Sequence, residues 1–243
     1  MSGRTIFRTR PPARVQFYDR PIATGSQTPS WERFLSLHQP GNPLLLPNAW
    51  DIGSAKLLAS LGFAALATTS SGHAATLGRP DGSVTREEAI EHAASLARAT
   101  GLPVSADLED GFNEDSETVA ETVRRAAAAG LAGCSVEDFS REKDDLYELE
   151  RARERVAAAA EAARAGGKRI VLTARAENFV CGRPDLNDAI ARLQAYQEVG
   201  ADVLYAPGLN SAQDIGTLVR ELERPVNVLV VPGVPSVPEL AEL

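Results

Sequence analysis

From about residue 31 the chain alternates short apolar runs with longer Ala-rich stretches that carry charge on one side. The apolar runs are Leu44–Pro47, Ala64–Thr68, Pro103–Ala106, Cys134–Val136, Ile170–Ala174, Val203–Tyr205 and Val226–Val230. Each is short enough for a strand buried on both faces, and such runs alternating with helices predict parallel strands with crossover helices. The helices are expected at Ser54–Leu61, Arg86–Ala99, Ser116–Ala129, Leu149–Ala165, Leu186–Val199 and Ala212–Leu222. Thr85 with Glu88 has the spacing of a capping box, and Ser116 is an N-cap candidate. Gly62, Gly101, Gly130, Gly166 and Gly200 follow helix ends, where a left-handed residue closes the last turn.

This rhythm predicts one α/β domain over residues 28–243, a (β/α)8 TIM-type barrel, and the length suits that fold. Seven strands are counted, and Leu243 falls inside the start of a seventh helix. The barrel is therefore expected to lack its eighth strand and C-terminal helices. Unpaired strand edges recruit partners, so a homo-oligomer is expected. A strand supplied by Arg14–Tyr18 is the less favoured repair.

Composition changes the picture in three places. Residues 1–27 hold five arginines against one acid, Asp19, and read as a flexible basic extension. The whole chain nevertheless carries a net charge of −8, which argues against nucleic acid as a partner. No apolar run reaches the length of a membrane span and no signal-peptide core is evident, so a cytoplasmic protein with no membrane partner is expected. Two cysteines, Cys134 and Cys181, give no disulfide framework.

In a (β/α) barrel, chemistry gathers at the C-terminal ends of the strands. Those ends are polar here: Trp50-Asp51, Thr69-Ser70-Ser71-Gly72, Asp107-Leu108-Glu109-Asp110, Glu137-Asp138 and Arg175-Ala176-Glu177-Asn178, with Asn227 near the start of the last strand. Asp107, Glu109 and Glu137 make a hard, all-oxygen set suited to Mg²⁺. In an extended strand, residues 107 and 109 would share a face. Arg175 offers a bidentate fork to a substrate carboxylate, and Thr69, Ser70, Ser71 and Gly72 offer hydroxyls and backbone N–H groups to an oxyanion. Together these describe a place for a small 2-oxo acid. Three histidines and two cysteines form no zinc cluster. His38 and His92 read as surface residues, while His73, after the Ser-Gly turn, reads equally as a residue lining the site and as a packing or surface histidine. No Gly-rich dinucleotide fingerprint is present, and the three lysines are poorly placed for a Schiff base.

The stretches Asn48-Ala49-Trp50-Asp51, Thr69-Ser70-Ser71-Gly72, Leu77-Gly78-Arg79-Pro80-Asp81, Ala106-Asp107-Leu108-Glu109-Asp110-Gly111, Val136-Glu137-Asp138, Ala174-Arg175-Ala176-Glu177 and Pro225-Val226-Asn227-Val228 stand in one order. In that order they resemble the isocitrate lyase/phosphoenolpyruvate mutase superfamily, from about Pro47 to Leu243. The resemblance implies a Mg²⁺-dependent enzyme acting on a 2-oxo acid or enolpyruvate substrate through a pyruvate enolate. It implies Asp107 as the direct metal ligand and Glu109 and Glu137 as holders of metal-bound waters. Arg175 is then the carboxylate binder, Asp81 the acid of the following loop, and Trp50 and Asn227 join Thr69–Gly72 around the substrate. The lyase loop Lys-Arg-Cys-Gly-His has no counterpart. Ser140–Leu146 stands in its place, with Lys143 at the lysine spacing and Asp145 near the cysteine position. An isocitrate or methylisocitrate lyase is therefore not expected, and the phosphoenolpyruvate-mutase-like subgroup fits best. C–C and C–P bond chemistry on oxaloacetate, phosphonopyruvate or phosphoenolpyruvate stays open. The alternatives are a metal-dependent aldolase of another barrel family and a non-catalytic truncated barrel.

Overall fold

The computed structural model describes residues 28–243. The basic extension and its Arg14–Tyr18 segment lie outside them. Six strands form one parallel sheet: β1 (Leu66–Ala67), β2 (Val104–Asp107), β3 (Gly133–Glu137), β6 (Val171–Arg175), β7 (Val203–Tyr205) and β8 (Val226–Asn227), in that spatial order. A two-stranded antiparallel ribbon, β4 (Phe139–Ser140) with β5 (Asp145–Leu146), interrupts the sequence between β3 and β6. The architecture is an α/β half-barrel whose strands are joined by crossover helices. Parallel neighbours require such crossover connections.

Five of the expected helices fall within a residue or so of their expected ends: α4 (Arg86–Thr100), α5 (Ser116–Ala128), α6 (Leu149–Arg164), α7 (Leu186–Glu198) and α8 (Ala212–Glu221). The sixth, α2 (Ile52–Ser60), begins two residues early, because Asp51 and Ser54 form a reciprocal capping box. The box at Thr85 and Glu88 forms as expected. Ser116 is the first helical residue instead of the cap; Asp115, one residue earlier, accepts the Thr118 N–H. An ionised carboxylate at the positive end of the helix is the stronger cap there.

Three segments take a form that the apolar pattern does not predict. Leu44–Pro47 is no strand; its neighbour Asn48 makes a single parallel bridge to Ala67. Proline on either side, at 43 and 47, leaves few N–H donors for a ladder. The Thr69–Gly72 turn is the start of a helix, α3 (Ser70–Thr76), which Thr69 caps. The charged loop after β3 closes as the β4/β5 ribbon, with Leu146 and Tyr147 buried at its base, so it has an apolar anchor. Two short helices, α1 (Ser30–Ser36) and α9 (Val237–Ala241), flank the described residues.

The core lies between the sheet and the helices. Leu66, Val104, Cys134, Leu172 and Leu204 are fully buried on successive strands. They face Leu96, Val123, Val156, Leu193 and Leu218 on the helices in one continuous cluster. Ala126, Ala159, Ala160 and Ala163 are buried on α5 and α6, and such small side chains let the helices approach closely. Under the opposite, N-terminal end of the strands, Phe34 seals the sheet against Val171 and Val203. A Cβ on Gly133 would lie 2.7 Å from its ring, so glycine is required there.

Candidate active site

Parallel register aligns the strand ends. Glu137 pairs with Arg175, Arg175 with Tyr205, and Tyr205 with Asn227. One row across the sheet therefore carries an acid, a guanidinium, a phenol and an amide. Asp107 ends β2 beside Ser135, two residues below Glu137 on β3. The backbone thus delivers the expected acids and Arg175 to one rim.

Arg175 sits at the centre. Its Nη1 lies 3.2 Å from Asp107 Oδ1, its Nη2 3.3 Å from Glu137 Oε2 and its Nε 2.8 Å from Glu177 Oε1. Its guanidinium lies 5.3 Å from the Tyr205 ring centroid, within cation–π reach. Burial alone would weaken its hold on the proton, but Asp107, Glu137 and Glu177 outweigh that and raise it above the ordinary arginine range.

Asp107 is fixed from several directions. Its Oδ2 accepts the Ser70 backbone N–H at 3.0 Å, and its own N–H donates to Thr68 Oγ1 at 2.9 Å. Its Oδ1 also accepts the Glu109 N–H at 3.3 Å. Glu109 does not continue the strand. It has φ 51°, the left-handed region that a non-glycine residue seldom adopts, and Gly111 and Phe112 follow with positive φ. The shared site of Asp107 and Glu109 therefore comes from a strained turn, and the same-face argument for an extended strand does not apply. The Glu109 carbonyl accepts the Glu137 N–H at 2.9 Å, which ties the turn to β3.

The acids outnumber the cations around them. Burial pushes the Glu109 carboxyl up to about 7, against the pull of Arg141. Burial likewise raises Glu137 well above the carboxylate range, and it raises Glu177, although Arg175 opposes both shifts. Such a pocket favours a further positive charge. No three of His, Cys, Asp and Glu among the described residues stand close enough to grip a metal unaided. Mg²⁺ does not need that, since it takes one or two carboxylates and completes its shell with waters and substrate oxygens. The donor set Asp107, Glu109 and Glu137 fits that mode.

The remaining candidates divide. Ser70 donates its N–H to Asp107, and Thr69 and Ser71 share a hydroxyl contact of 3.1 Å. Gly72 lies under Trp50: a Cβ there would be 2.8 Å from the indole Cδ1. Trp50 is half-exposed above it. Asp81 meets Arg141 Nη2 at 3.6 Å. Asn227 is half-buried at the end of the strand-end row. Lys143 stands outside this group, exposed, with its Nζ 3.2 Å from Glu114 Oε2.

Three residues of the site were given no role from the sequence. Arg141 reaches in from the ribbon to place its Nε 2.8 Å from Glu109 Oε2; in sequence it is one charge among many in the loop. Glu177 and Tyr205 were legible in principle, since each lies at or just past a strand end. His92 is no surface residue. Its ring stacks on His73 at 3.7 Å with an interplanar angle of 12°, beside Thr68, Thr69 and Asp107. Burial, then the neighbouring His73, push the His92 imidazole down to about 4.

Below the site, Asp138 is buried and accepts Tyr196 Oη at 2.6 Å, Arg192 Nη1 at 3.2 Å and the Glu177 N–H at 2.9 Å. These bonds hold the segments after β3 and β6 together, and so fix Glu137 and Glu177 relative to one another.

The profile of phosphoenolpyruvate phosphomutase matches residues 34–243. A crystal structure of a candidate lyase/mutase from Burkholderia cenocepacia J2315 is 49% identical, with a TM-score of 0.84, over 88% of this chain and 78% of that one. An uncharacterized protein of Mycobacterium tuberculosis is 34% identical over 86% of this chain and 78% of its own length. The 2-methylisocitrate lyase of Halalkalibacterium halodurans is 30% identical over 83% of this chain and 67% of its own.

Proposed function

The chain belongs to the phosphoenolpyruvate phosphomutase family, and from that premise we propose that it cleaves or rearranges the C–C or C–P bond at C3 of a small 2-oxo acid through a pyruvate enolate. The observation that carries the reading is the convergence of Asp107, Glu137 and Glu177 on Arg175 at one strand-end rim. Asp107, Glu109 and Glu137 would hold Mg²⁺, which would supply positive charge where the keto oxygen becomes an enolate oxygen.

The chain's own groups do the rest. Arg175 has five N–H donors, and three contacts leave donors for a substrate carboxylate. Tyr205 and Glu177 fix its plane, so the carboxylate is oriented without further ordering cost. The Thr69–Gly72 segment sets hydroxyls and the start of α3 against the same space, where developing negative charge is favoured. Trp50 packs over Gly72 at one side of this segment. The loop lacks the cysteine of the family lyases, so general-acid chemistry of that kind has no donor at Asp145, whose carboxylate is bound instead to Arg183 at 2.6 Å.

The experiment is a panel of oxaloacetate, phosphonopyruvate and phosphoenolpyruvate, each with Mg²⁺ and with chelator. Metal-dependent turnover of one of them is expected. A folded chain that turns over none and binds no oxalate, an enolate mimic, contradicts the proposal.

A further inference from the structure

We propose that Arg155, buried on α6 and away from the rim, is a positioning residue that holds the chain after β2 in the bent form on which the place of Glu109 depends. The inference rests on the proposed function, in which Glu109 serves the metal, and it extends the site to a residue behind it.

The bend has no local cause. Residues 108–115 join β2 to α5, and within them Glu109 has φ 51°, Gly111 φ 89° and Phe112 φ 67°. Glycine takes that conformation freely, and at 111 it is also needed for space, since a Cβ there would lie 2.9 Å from Val119 Cγ2. Glutamate and phenylalanine do not take it freely. Such backbone persists only where the surroundings over-determine it.

The neighbouring helix α6 supplies that hold. Arg155 is 1% exposed. Its Nη2 donates to the Asp110 carbonyl, and its Nη1 donates to the Asn113 carbonyl at 2.6 Å. One planar fork thus ties the chain before Gly111 to the chain after Phe112. The guanidinium lies 4.1 Å from the Tyr147 ring centroid, and Tyr147 Oη donates to Asp110 Oδ2 at 3.3 Å. Asp110 Oδ1 accepts the Phe112 N–H at 2.8 Å, and Thr122 on α5 donates to the Gly111 carbonyl at 3.0 Å. A fully buried arginine is ordinarily paired with an acid. Here both hydrogen bonds go to main-chain oxygens, so the group fixes the shape of a loop. Without it two carbonyls lose their donor and the bend is free to open. Asp107 does not depend on that bend, because it lies in the β2/β3 ladder and is bonded to Ser70. Glu109 adjoins Asp110, and its carbonyl is tied to the Glu137 N–H. Arg155 therefore acts through Glu109.

The test titrates Mg²⁺ with oxalate into the full chain by calorimetry. It compares wild type, Arg155→Met, Arg155→Lys, Glu109→Ala and the double variant Glu109→Ala/Arg155→Met. Arg155→Met is expected to weaken Mg²⁺ binding about tenfold, and by no more than Glu109→Ala does. Arg155→Lys, which keeps the charge and a donor, should bind about threefold more tightly than Arg155→Met. In the Glu109→Ala background Arg155→Met should cost less than about twofold, because the two side chains act through one group. A role in stability alone would lower the urea midpoint and leave Mg²⁺ binding unchanged, or weaken it equally in both backgrounds; either result overturns the inference. Amide hydrogen exchange on the metal-free chain gives a second readout. The Glu137 N–H should exchange about tenfold faster in Arg155→Met, with the Leu172 N–H, bonded to Asp202 on the far side of the sheet, within about threefold of wild type. Unchanged exchange at Glu137 overturns the inference. If Arg155→Met does not fold, Arg155→Lys takes its place in both backgrounds, with about a threefold loss expected and the same contradicting results. A folded wild type that binds no oxalate with Mg²⁺ overturns the proposed function, while the exchange measurement still decides whether Arg155 holds the bend.

Discussion

The backbone N–H of Ser70 donates to Asp107 Oδ2 at 3.0 Å, so the first turn of α3 orients the carboxylate that ends β2. Ser70 is the first helical residue and Thr69 before it is extended. Proline is well tolerated at that position and after that backbone, and its missing N–H would be an orphan in the helix itself. Ser70→Pro should therefore keep the fold, with Tm within a few degrees, while weakening Mg²⁺-dependent oxalate binding about tenfold. Ser70→Ala keeps the N–H and should bind within about threefold of wild type. Equal behaviour of the two variants in calorimetry would show that the N–H is irrelevant to the site.

Arg175→Lys should lower kcat/KM on an active 2-oxo acid by about 100-fold or more. Lysine cannot serve three carboxylates in a plane and still present a fork to substrate. Arg175→Met should also destabilise the fold by about 3–5 kcal/mol, because it leaves buried acids without their cation. Saturation kinetics and urea unfolding measure the two effects. Unchanged kcat/KM in the lysine variant would make Arg175 structural only.

Tyr196→Phe tests the support beneath the site. Its hydroxyl is buried and donates to Asp138 at 2.6 Å. Loss of one hydrogen bond to a buried carboxylate should cost about 1.5–3 kcal/mol in urea unfolding. Activity should fall less than in Arg175→Lys, since Arg192 and the Glu177 N–H still hold Asp138.

The stacked histidines make a pH prediction. His92 is held near 4 in the fold, below the usual 6.5. A histidine depressed on folding has no effect above about 6.5, where both states are neutral. As pH falls from 6.5 to 4 the unfolded chain takes up the proton first, so stability is lost across that window. Partial exposure limits the loss to about 1–2 kcal/mol. His92→Phe keeps a stacking ring with nothing to titrate, and its Tm should decline less than that of wild type between pH 6.5 and 4. Parallel declines would place the acid sensitivity elsewhere.

Much of the architecture was legible because period and punctuation agree: apolar runs of strand length, amphipathic helices, and glycine past helix ends at Gly101, Gly130 and Gly200, all with positive φ. What the sequence hid is tertiary. A positive φ at Glu109 depends on ties to Asp107 and Glu137 that no local pattern reveals. Arg141 and Lys143 stand two residues apart in one charged loop. The antiparallel register of the ribbon, Ser140 against Asp145, is what turns one toward Glu109 and the other toward Glu114. His92 was read as exposed because its partner, His73, lies on a different helix.

The central claim is that Asp107 organises a Mg²⁺ site for a 2-oxo acid, and metal titration tests it most directly. Mg²⁺ would be titrated into wild type, Asp107→Ala, Glu109→Ala and Glu137→Ala in the presence of oxalate, with circular dichroism confirming that each is folded. A direct ligand lost costs more than a group that only orients waters. Asp107→Ala should therefore lose measurable binding, while the two glutamate variants bind about 10- to 100-fold more weakly than wild type. Intact Mg²⁺ binding by folded Asp107→Ala would contradict the account.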